Sequence, residues 1–255
     1  DGAVAAALQA AEAAGVRVAF HLEPYAGRHV GSVREDLAYL REQYGDAPSL
    51  YRLRGLPVFY VYDSYHIPAA SWRGLLGRGV EGSVRGTELD GFFIALWLDS
   101  RDGQAIVEGG FDACYTYFAS DAVSYASDRR NWPALRDFAR QHELAFVASV
   151  GPGYNDTRIR PWNARATRAR QDGRRYSDAW RSAVDSGAEF VSITSWNEWG
   201  EGTQIEPAVP QVDSQGRRYE DYGDAGPLAY VELTREWVTA FDRQQQRAPS
   251  PRVEL

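Results

Sequence analysis

One short segment of the chain carries most of the residues that could do chemistry. Residues 195–206 read SWNEWGEGTQIE and directly follow the apolar and β-branched run 190–194, so carboxylates, indoles and amides come just after a predicted strand. Cleavage of a glycosidic bond needs two carboxyl groups in different protonation states, flat apolar rings against the sugar faces, and amides that bind hydroxyl groups. The segment therefore predicts a site that cleaves sugars.

Glu198 and Glu201 are the candidate catalytic pair. They stand three residues apart, and Gly200 and Gly202 allow the loop to turn both carboxylates toward one cavity. The alternative is that one glutamate caps the following segment or pairs with an arginine, and Glu206 is open between a sugar contact and a local structural role. Three neighbours favour the catalytic interpretation and are candidate substrate contacts: Trp196, Asn197 and Trp199.

Helical and strand patterns alternate along the chain and must position this segment. An Ala-rich helix is predicted over 4–14 and a buried strand over 16–22. Further helices are predicted near 33–44, 69–76, 104–108, 132–142, 176–186 and 228–241. Further strands are predicted near 57–62, 91–96, 113–117, 144–150 and 190–194. We expect Asn131 to be the N-cap of the fifth helix and Gly187 the C-cap of the sixth.

This alternation predicts an α/β fold with a parallel sheet buried on both faces, either doubly wound or closed into a barrel. Polar and aromatic residues follow nearly every predicted strand, which favours a barrel because its strand ends converge on one mouth. These residues are His21, Glu23 and Tyr25; Asp63, Tyr65 and His66; Trp97 and Asp99; Tyr115, Tyr117 and Asp121; Tyr154 and Asp156; and Asn197, Glu198 and Glu201. We therefore predict a single domain over 1–255, a (β/α)8 TIM-type barrel that lacks its first one or two βα units in this chain, because six strands are found and a helix comes first.

Composition argues against several partners. The 28 basic and 35 acidic residues give a formal charge of −7 with no basic run, so nucleic acid is not expected as a partner. The acidic and histidine residues near the strand ends lack a metal-binding spacing such as H-x-x-x-H, so neither a metal nor another cofactor is expected. The arginines of the loop 158–168 are interpreted as solvated or paired with carboxylates. The single cysteine, Cys114, lies in an apolar segment and is predicted to be buried.

The location of the protein is not specified by the chain. No apolar run approaches the roughly 20 residues that span a bilayer. The sequence contains no methionine, so any signal peptide or anchor is expected upstream of Asp1. An extracytoplasmic location and a monomeric state are favoured.

Six spaced segments together resemble glycoside hydrolase family 99. They are FHLEPYAGR (20–28), FYVYDSYH (59–66), DGFFIALW (90–97), YTYFASD (115–121), VGPGYNDTRIRPWN (150–163) and SWNEWGEGTQIEPAVP (195–210). The family comprises endo-α-1,2-mannosidases, which trim glucosylated high-mannose N-glycans, and bacterial endo-α-1,2-mannanases. The resemblance implies a metal-independent retaining (β/α)8 barrel whose substrate is an α-mannan or a high-mannose glycan.

The resemblance also implies roles for the two carboxylates. Glu201 would protonate the departing glycosidic oxygen and later deprotonate water, whereas Glu198 would act on the 2-hydroxyl of the sugar, so that O2 displaces the aglycone through a 1,2-anhydro intermediate. Direct attack of Glu198 on C1 is the alternative. Both schemes require a protonated Glu201 and an ionised Glu198. Further candidate substrate contacts are Glu23, Tyr25, His66, Tyr117 and Tyr154.

Substrate preference and function class each stay open. Gly200 looks more like the bacterial members of the family, which favours mannan over glucosylated mannose, but the first strands of the family have no counterpart here. The alternatives to a glycosidase are a non-catalytic carbohydrate-binding relic and a glycosyltransferase-like polysaccharide-assembly protein of the same fold. We see no phosphate cradle for an activated sugar donor in these residues, and both carboxylates are present.

Overall fold

A parallel sheet of six strands organises the chain. In the computed structural model, which describes residues 2–118 and 123–247, the strands follow one another in the order in which the chain visits them. They are β1 (Phe20–Leu22), β3 (Leu56–Val61), β4 (Phe92–Leu96), β5 (Ala113–Tyr115), β6 (Ala145–Val150) and β7 (Phe190–Ile193). All six predicted strands are thus confirmed. Of the strand-end residues that the sequence singles out, Asp121 lies outside the described residues.

One further strand was not predicted from the sequence. β2 (Arg52–Leu53) pairs antiparallel with the start of β3. Arg54 and Gly55 connect them, and both have positive φ angles, 53° and 78°, which is the backbone geometry of a two-residue hairpin turn. A strand of two residues is too short to show alternation, so the only signal was the glycine of the turn.

Seven helices connect the strands, in agreement with the prediction. They are α1 (Gly2–Ala14), α2 (Val30–Tyr44), α3 (Ala69–Leu76), α4 (Asp102–Gly109), α5 (Trp132–Gln141), α6 (Arg174–Ser186) and α7 (Ala229–Arg247). Gly187 ends α6 with a φ of 73°, as expected of a C-cap glycine. Asn131 is the N-cap residue of α5, as predicted, but its side chain makes no capping bond to the helix. Its amide donates instead to Tyr125 O at 2.8 Å.

Both faces of the sheet are buried. Successive strand residues point to opposite faces, so Phe146 and Ala148 of β6 pack in the large core beneath the helices, whereas Ala145 and Val147 join a second, inner cluster. The inner cluster is rich in tyrosine at its strand ends. Tyr60, Tyr62, Tyr115 and Tyr117 all belong to it or pack against it.

The described residues therefore show the predicted α/β architecture, with strands of a (β/α) barrel whose carboxyl ends open toward one side. Cys114 on β5 is buried and free, as predicted. Within 2–118 and 123–247, no helix has the length and apolar character needed to cross a membrane.

Candidate active site

The loop 195–206 after β7 is closed by hydrogen bonds between its own two ends. Ser195 N donates to Thr203 O at 3.0 Å, and the two side-chain hydroxyls lie 2.8 Å apart. Glu206 N donates to Trp196 O at 3.0 Å. Glu198 and Glu201 are therefore carried on a compact turn at the carboxyl end of the sheet.

Neighbouring segments hold this loop from below. The guanidinium of Arg170, which is 9% exposed, donates to Gly202 O at 2.9 Å and to Gln204 O at 2.8 Å. Its charge is balanced by Glu220 at 3.2 Å. Asn155 N donates to Glu201 O at 2.7 Å. The backbone around Glu201 is thus fixed by donors from a different loop.

Glu198 lies in surroundings that oppose its ionisation. Partial loss of hydration is the main effect that raises the pKa of Glu198, and the negative charges of Glu201 and Glu23 act in the same direction. A hydrogen bond from Ser195 and, to a smaller extent, the nearby His21 act in the opposite direction. The net result is a carboxyl group that binds a proton more readily than an ordinary glutamate.

Glu201 has a different environment because it pairs with an arginine. Arg160 Nη1 donates to Glu201 Oε1 at 2.9 Å and to Asp156 Oδ2 at 3.1 Å. The same Asp156 oxygen accepts from Tyr154 Oη at 3.0 Å and from Asn163 Nδ2 at 2.8 Å. Burial acts to raise the pKa of Asp156, but these donors outweigh it and lower the pKa. Asp156 therefore anchors Arg160 as an anion.

A further carboxylate, that of Glu23, enters the site from the segment after β1. Glu23 Oε1 lies 2.6 Å from His21 Nδ1, and the other ring nitrogen, Nε2, lies 2.7 Å from Tyr115 Oη. The Glu23 side chain is 64% exposed, so it can still accept hydrogen bonds from a ligand. Its charge reaches both Glu198 and Tyr117.

Tyr117 stands beside the two loop glutamates. Burial, followed by the charges of Glu198 and Glu201, raises the pKa of Tyr117, so its hydroxyl stays protonated and can donate a hydrogen bond. Its backbone has a φ of 52°, an uncommon conformation for a residue with a side chain. Tyr117 N donates to Ser149 Oγ at 2.7 Å, which holds the strand end in this shape.

The chain is similar in sequence to proteins of a known family. The model of glycosyl hydrolase family 99 matches residues 2–243. The chain belongs to this family. It is 44% identical over 249 residues to a glycoprotein endo-alpha-1,2-mannosidase-like protein of Danio rerio, covering 96% of this chain and 56% of that protein. It is 41% identical over 251 residues to a glycoprotein endo-alpha-1,2-mannosidase of Xenopus laevis, again with 96% and 56% coverage. The chain thus spans about half the length of these relatives.

A solved family 99 structure confirms the fold class. The endo-alpha-mannosidase of Bacteroides thetaiotaomicron, solved in complex with Bis-Tris-propane, superposes with a TM-score of 0.92 at 43% identity. The superposition covers 96% of this chain and 76% of that chain. The six parallel strands of our chain are therefore part of a family 99 barrel.

Five of the residues predicted to contact substrate lie near the catalytic pair in the structure. Around Glu198 and Glu201 it places side chains from four strand ends: Glu23, Tyr117, Tyr154, Trp196 and Asn197. Burial and the charge of Glu201 raise the pKa of Tyr154, which shows how near that hydroxyl is to the glutamate. Trp196 is 54% exposed and offers a free ring at the mouth. The substrate-binding roles of these residues stay predictions.

Other predicted contacts have partners elsewhere. The Tyr25 hydroxyl lies 2.7 Å from both Ser32 Oγ and Asp36 Oδ2 on α2. The His66 side chain is 61% exposed and lies 3.6 Å from Asp63. Their substrate-binding roles also stay predictions, without support from a contact to either catalytic glutamate.

Trp199 belongs to the loop 195–206, and its indole contacts other side chains of the protein. Its Nε1 donates to Glu206 Oε1 at 2.6 Å, which favours a local structural role for that glutamate. The indole also meets the ring of Tyr219 edge-on at 6.1 Å. Contacts with Glu206 and Tyr219 thus hold the Trp199 ring in place.

Two residues of the site were not predicted as such. Arg160 is one of several arginines expected to be solvated or paired with carboxylates, and no sequence pattern indicates that its partner is Glu201. His21 was noticed only as a polar residue near a strand end, although its position two residues before Glu23 puts both on one side of the strand. Within the described ranges, no group of three or more His, Cys, Asp or Glu side chains is placed to bind a metal ion.

Proposed function

We propose that this family 99 protein is an endo-acting glycoside hydrolase that cleaves α-1,2-mannosidic linkages in mannan or in high-mannose glycans. The observation that carries the proposal is the placement of Glu198 and Glu201 on one short loop in unlike surroundings. The named activities of the Danio, Xenopus and Bacteroides relatives support the linkage and the sugar.

Glu198 is the base of the proposed reaction. A general base is most effective when its pKa lies near the working pH, and the environment of Glu198 raises its pKa in that direction. Glu198 would take the proton of the mannose 2-hydroxyl. In an α-mannoside O2 and the leaving group are axial on opposite faces, so O2 can displace the aglycone from behind and close a 1,2-anhydro ring. Water then attacks C1 and breaks the C1–O2 bond while Glu198 returns its proton to O2, and the two displacements give net retention at C1.

Glu201 is the proposed acid and base on the leaving-group side. The bond from Arg160 at 2.9 Å suits the ionised carboxylate that the second step requires, in which Glu201 takes a proton from the attacking water. The first step requires Glu201 to hold a proton. We therefore propose that in the first step the substrate oxygen replaces Arg160 beside Glu201. Arg160 keeps its contact with Asp156, its other partner at 3.1 Å.

The aromatic and amide groups complete the site. Trp196 would stack on a sugar face, and Asn197 would bind hydroxyl groups through its exposed amide. The Tyr117 hydroxyl would donate a hydrogen bond near the reacting carbon. Gly200 favours mannan as the preferred substrate, with glucosylated mannose as the alternative.

Hydrolysis of a defined α-1,2-mannotetraose, with and without a terminal glucose, tests the activity and the preference together. We expect release of a disaccharide with retained configuration. Glu198→Gln and Glu201→Gln should each lower kcat by about 10²–10⁴-fold or more while leaving binding of the sugar in place. Binding by the unmodified chain without turnover would identify a carbohydrate-binding relic instead.

Glu206→Gln is the matched control for these two variants. It changes the third carboxylate of the same loop, but a glutamine oxygen can still accept from Trp199 Nε1. Turnover should persist in this variant. If Glu206→Gln is as inactive as the other two, loss of the loop structure rather than loss of an acid or base explains all three results.

A substrate analogue separates the two retaining routes. A mannoside that lacks the 2-hydroxyl at the reacting sugar cannot form the 1,2-anhydro ring, so the proposed reaction should not occur with it. Direct attack of Glu198 on C1 needs no 2-hydroxyl. Turnover of the 2-deoxy analogue would therefore exclude the anhydro route.

A further inference from the structure

His21 is held at both of its ring nitrogens by the site. Nδ1 lies 2.6 Å from Glu23 Oε1, and Nε2 lies 2.7 Å from the hydroxyl of Tyr115. Tyr115 is 2% exposed, so this end of the contact is closed to water. In the described part of the chain, the Glu23 carboxylate makes no other hydrogen bond to a side chain or to the backbone.

The partners of His21 select one tautomer of its ring. An ionised carboxylate can only accept, so Nδ1 carries the hydrogen that Glu23 receives. Burial raises the pKa of Tyr115, so its hydroxyl keeps its proton and can donate it to Nε2. The neutral ring with the hydrogen on Nδ1 satisfies both neighbours.

Aromatic rings prevent His21 from turning away. Its ring stacks on Tyr117 at 5.8 Å between centroids and meets Tyr115 edge-on at 5.8 Å. Tyr62 and Tyr60 approach it at 5.4 and 6.1 Å. Glu23 and these four tyrosines face the imidazole, and Glu198 lies near enough for the charge of His21 to affect its pKa. A ring in this cage keeps Nδ1 aimed at Glu23.

We propose that His21 is a positioning residue that fixes the Glu23 carboxylate toward the sugar hydroxyls through its Nδ1–H tautomer. The proposal rests on the proposed function, because it deepens the role of a carboxylate in the same site. Glu23 lies just beyond β1, is 64% exposed, and would otherwise sample many rotamers. Fixing it beforehand removes an entropy cost that substrate binding would have to offset.

Two substitutions separate the two ends of the imidazole. In His21→Asn the side-chain amide nitrogen replaces Nδ1 and keeps a donor for Glu23. In His21→Gln the longer side chain reaches the position of Nε2, keeps a contact to Tyr115, and leaves Glu23 without a donor. Both variants remove the same aromatic ring, so a purely structural role predicts equal losses.

We expect His21→Gln to lower kcat/KM for α-1,2-mannotetraose by about tenfold or more, the range of a hydrogen bond to a charged group. The loss should appear mainly in KM. His21→Asn should lose clearly less, about threefold. Equal losses in the two variants, with equal losses in melting temperature, would overturn the proposal.

A double-mutant cycle tests whether His21 acts through Glu23. In the Glu23→Gln background the additional effect of His21→Gln should nearly vanish, because the carboxylate that it positions is already gone. Additive losses would contradict the proposal. The ¹⁵N shifts of the His21 ring give a readout without substrate: they should report hydrogen on Nδ1 in the unmodified chain, and hydrogen on Nε2 would contradict the proposal.

The outcome stays distinguishable from failure of the proposed function. If the unmodified chain binds the tetraose but does not hydrolyse it, the catalytic proposal fails. The same variants are then compared by calorimetric Kd, for which the order unmodified, His21→Asn, His21→Gln is expected from tight to weak. Equal Kd values for the two variants would overturn the positioning role in that case as well.

Discussion

The two candidate catalytic glutamates differ because their nearest charges differ in sign. Glu201 faces the guanidinium of Arg160 at 2.9 Å, whereas the pKa of Glu198 is raised mainly by partial desolvation and then by the negative charges of Glu201 and Glu23. Two chemically identical side chains three residues apart therefore lie in unlike electrostatic surroundings. The raised pKa of Glu198 runs against the ionised state that the scheme predicted from the sequence assigns to it, so the proposed reaction depends on the change at Glu201 and Arg160 that accompanies substrate binding.

The environment of Glu198 should reduce the stability of the chain at neutral pH. Its folded-state pKa is raised from the ordinary 4.5, so the folded state binds the proton more tightly than the unfolded state. Stability then falls as the pH rises above 4.5 and through the raised pKa of the folded state. We expect Glu198→Gln to stabilise the chain at pH 7 by less than about 1 kcal/mol, since the group faces solvent and is screened.

Thermal unfolding of Glu198→Gln at pH 7 and well below pH 4.5 measures this effect. The gain should be present at pH 7 and absent at the lower pH, where both states carry the proton. Glu206→Gln, whose carboxylate accepts a bond from Trp199 at 2.6 Å, should show no such gain. A loss of stability in Glu198→Gln at pH 7 would contradict the assigned environment.

At the scale of elements, the sequence predicted what depends on local pattern. β4 and β6 are buried at every position and were predicted from their short, largely apolar runs. β2 was not predicted because two residues are too few to show a period. Asn131 occupies the predicted N-cap position of α5 but makes no side-chain capping bond, because it also belongs to the turn Arg129–Asn131 that precedes the helix. The Arg160 bond to Glu201 spans 41 positions, so no local pattern could reveal it.

The shape of the loop 195–206 depends on one of its two glycines more than on the other. Gly202 has a φ of 63°, and a Cβ there would lie 3.1 Å from Asn155 O and 3.2 Å from Asn155 N. Gly200 has no such conformation, and its Cβ would meet only the flexible end of Ile159, at 3.3 Å. The two positions therefore make a matched pair.

We expect Gly202→Ala to lower the free energy of unfolding by about 1–3 kcal/mol, because the left-handed conformation and the backbone of Asn155 both oppose a Cβ. Turnover should fall too, since Asn155 N donates to the carbonyl of Glu201 at 2.7 Å and a shift would move that glutamate. Gly200→Ala should cost little in either property. Denaturant titrations and kcat/KM of the two variants check this, and equal effects would show that the φ of Gly202 is not a constraint.

For the whole molecule, the two ends of the sheet carry different tasks. The candidate site lies at the carboxyl ends of the strands, as in (β/α) barrels generally. At the opposite end, Asp90 precedes β4 and Asp112 precedes β5, and both pair with Arg85. The Arg85 side chain is 5% exposed and donates to three backbone carbonyl oxygens: Leu76, Gly91 and Gly110. This network ties the end of α3 to the starts of two strands, far from the loop 195–206 in the fold.

Removal of Arg85 should therefore reduce stability without changing the chemistry. Arg85→Met would leave the largely buried Asp90 without a guanidinium partner and Asp112 with Arg78 alone, a loss of about 3–5 kcal/mol. Arg78 binds the same Asp112 at 3.0 Å but is 69% exposed, so Arg78→Met should cost at most about 1 kcal/mol. Denaturant unfolding measures both losses, and kcat/KM well below the melting temperature should stay near that of the unmodified chain in both variants. A fall in kcat/KM of folded Arg85→Met would mean that this end of the sheet is coupled to the site, because the stability loss alone acts only through the unfolded fraction.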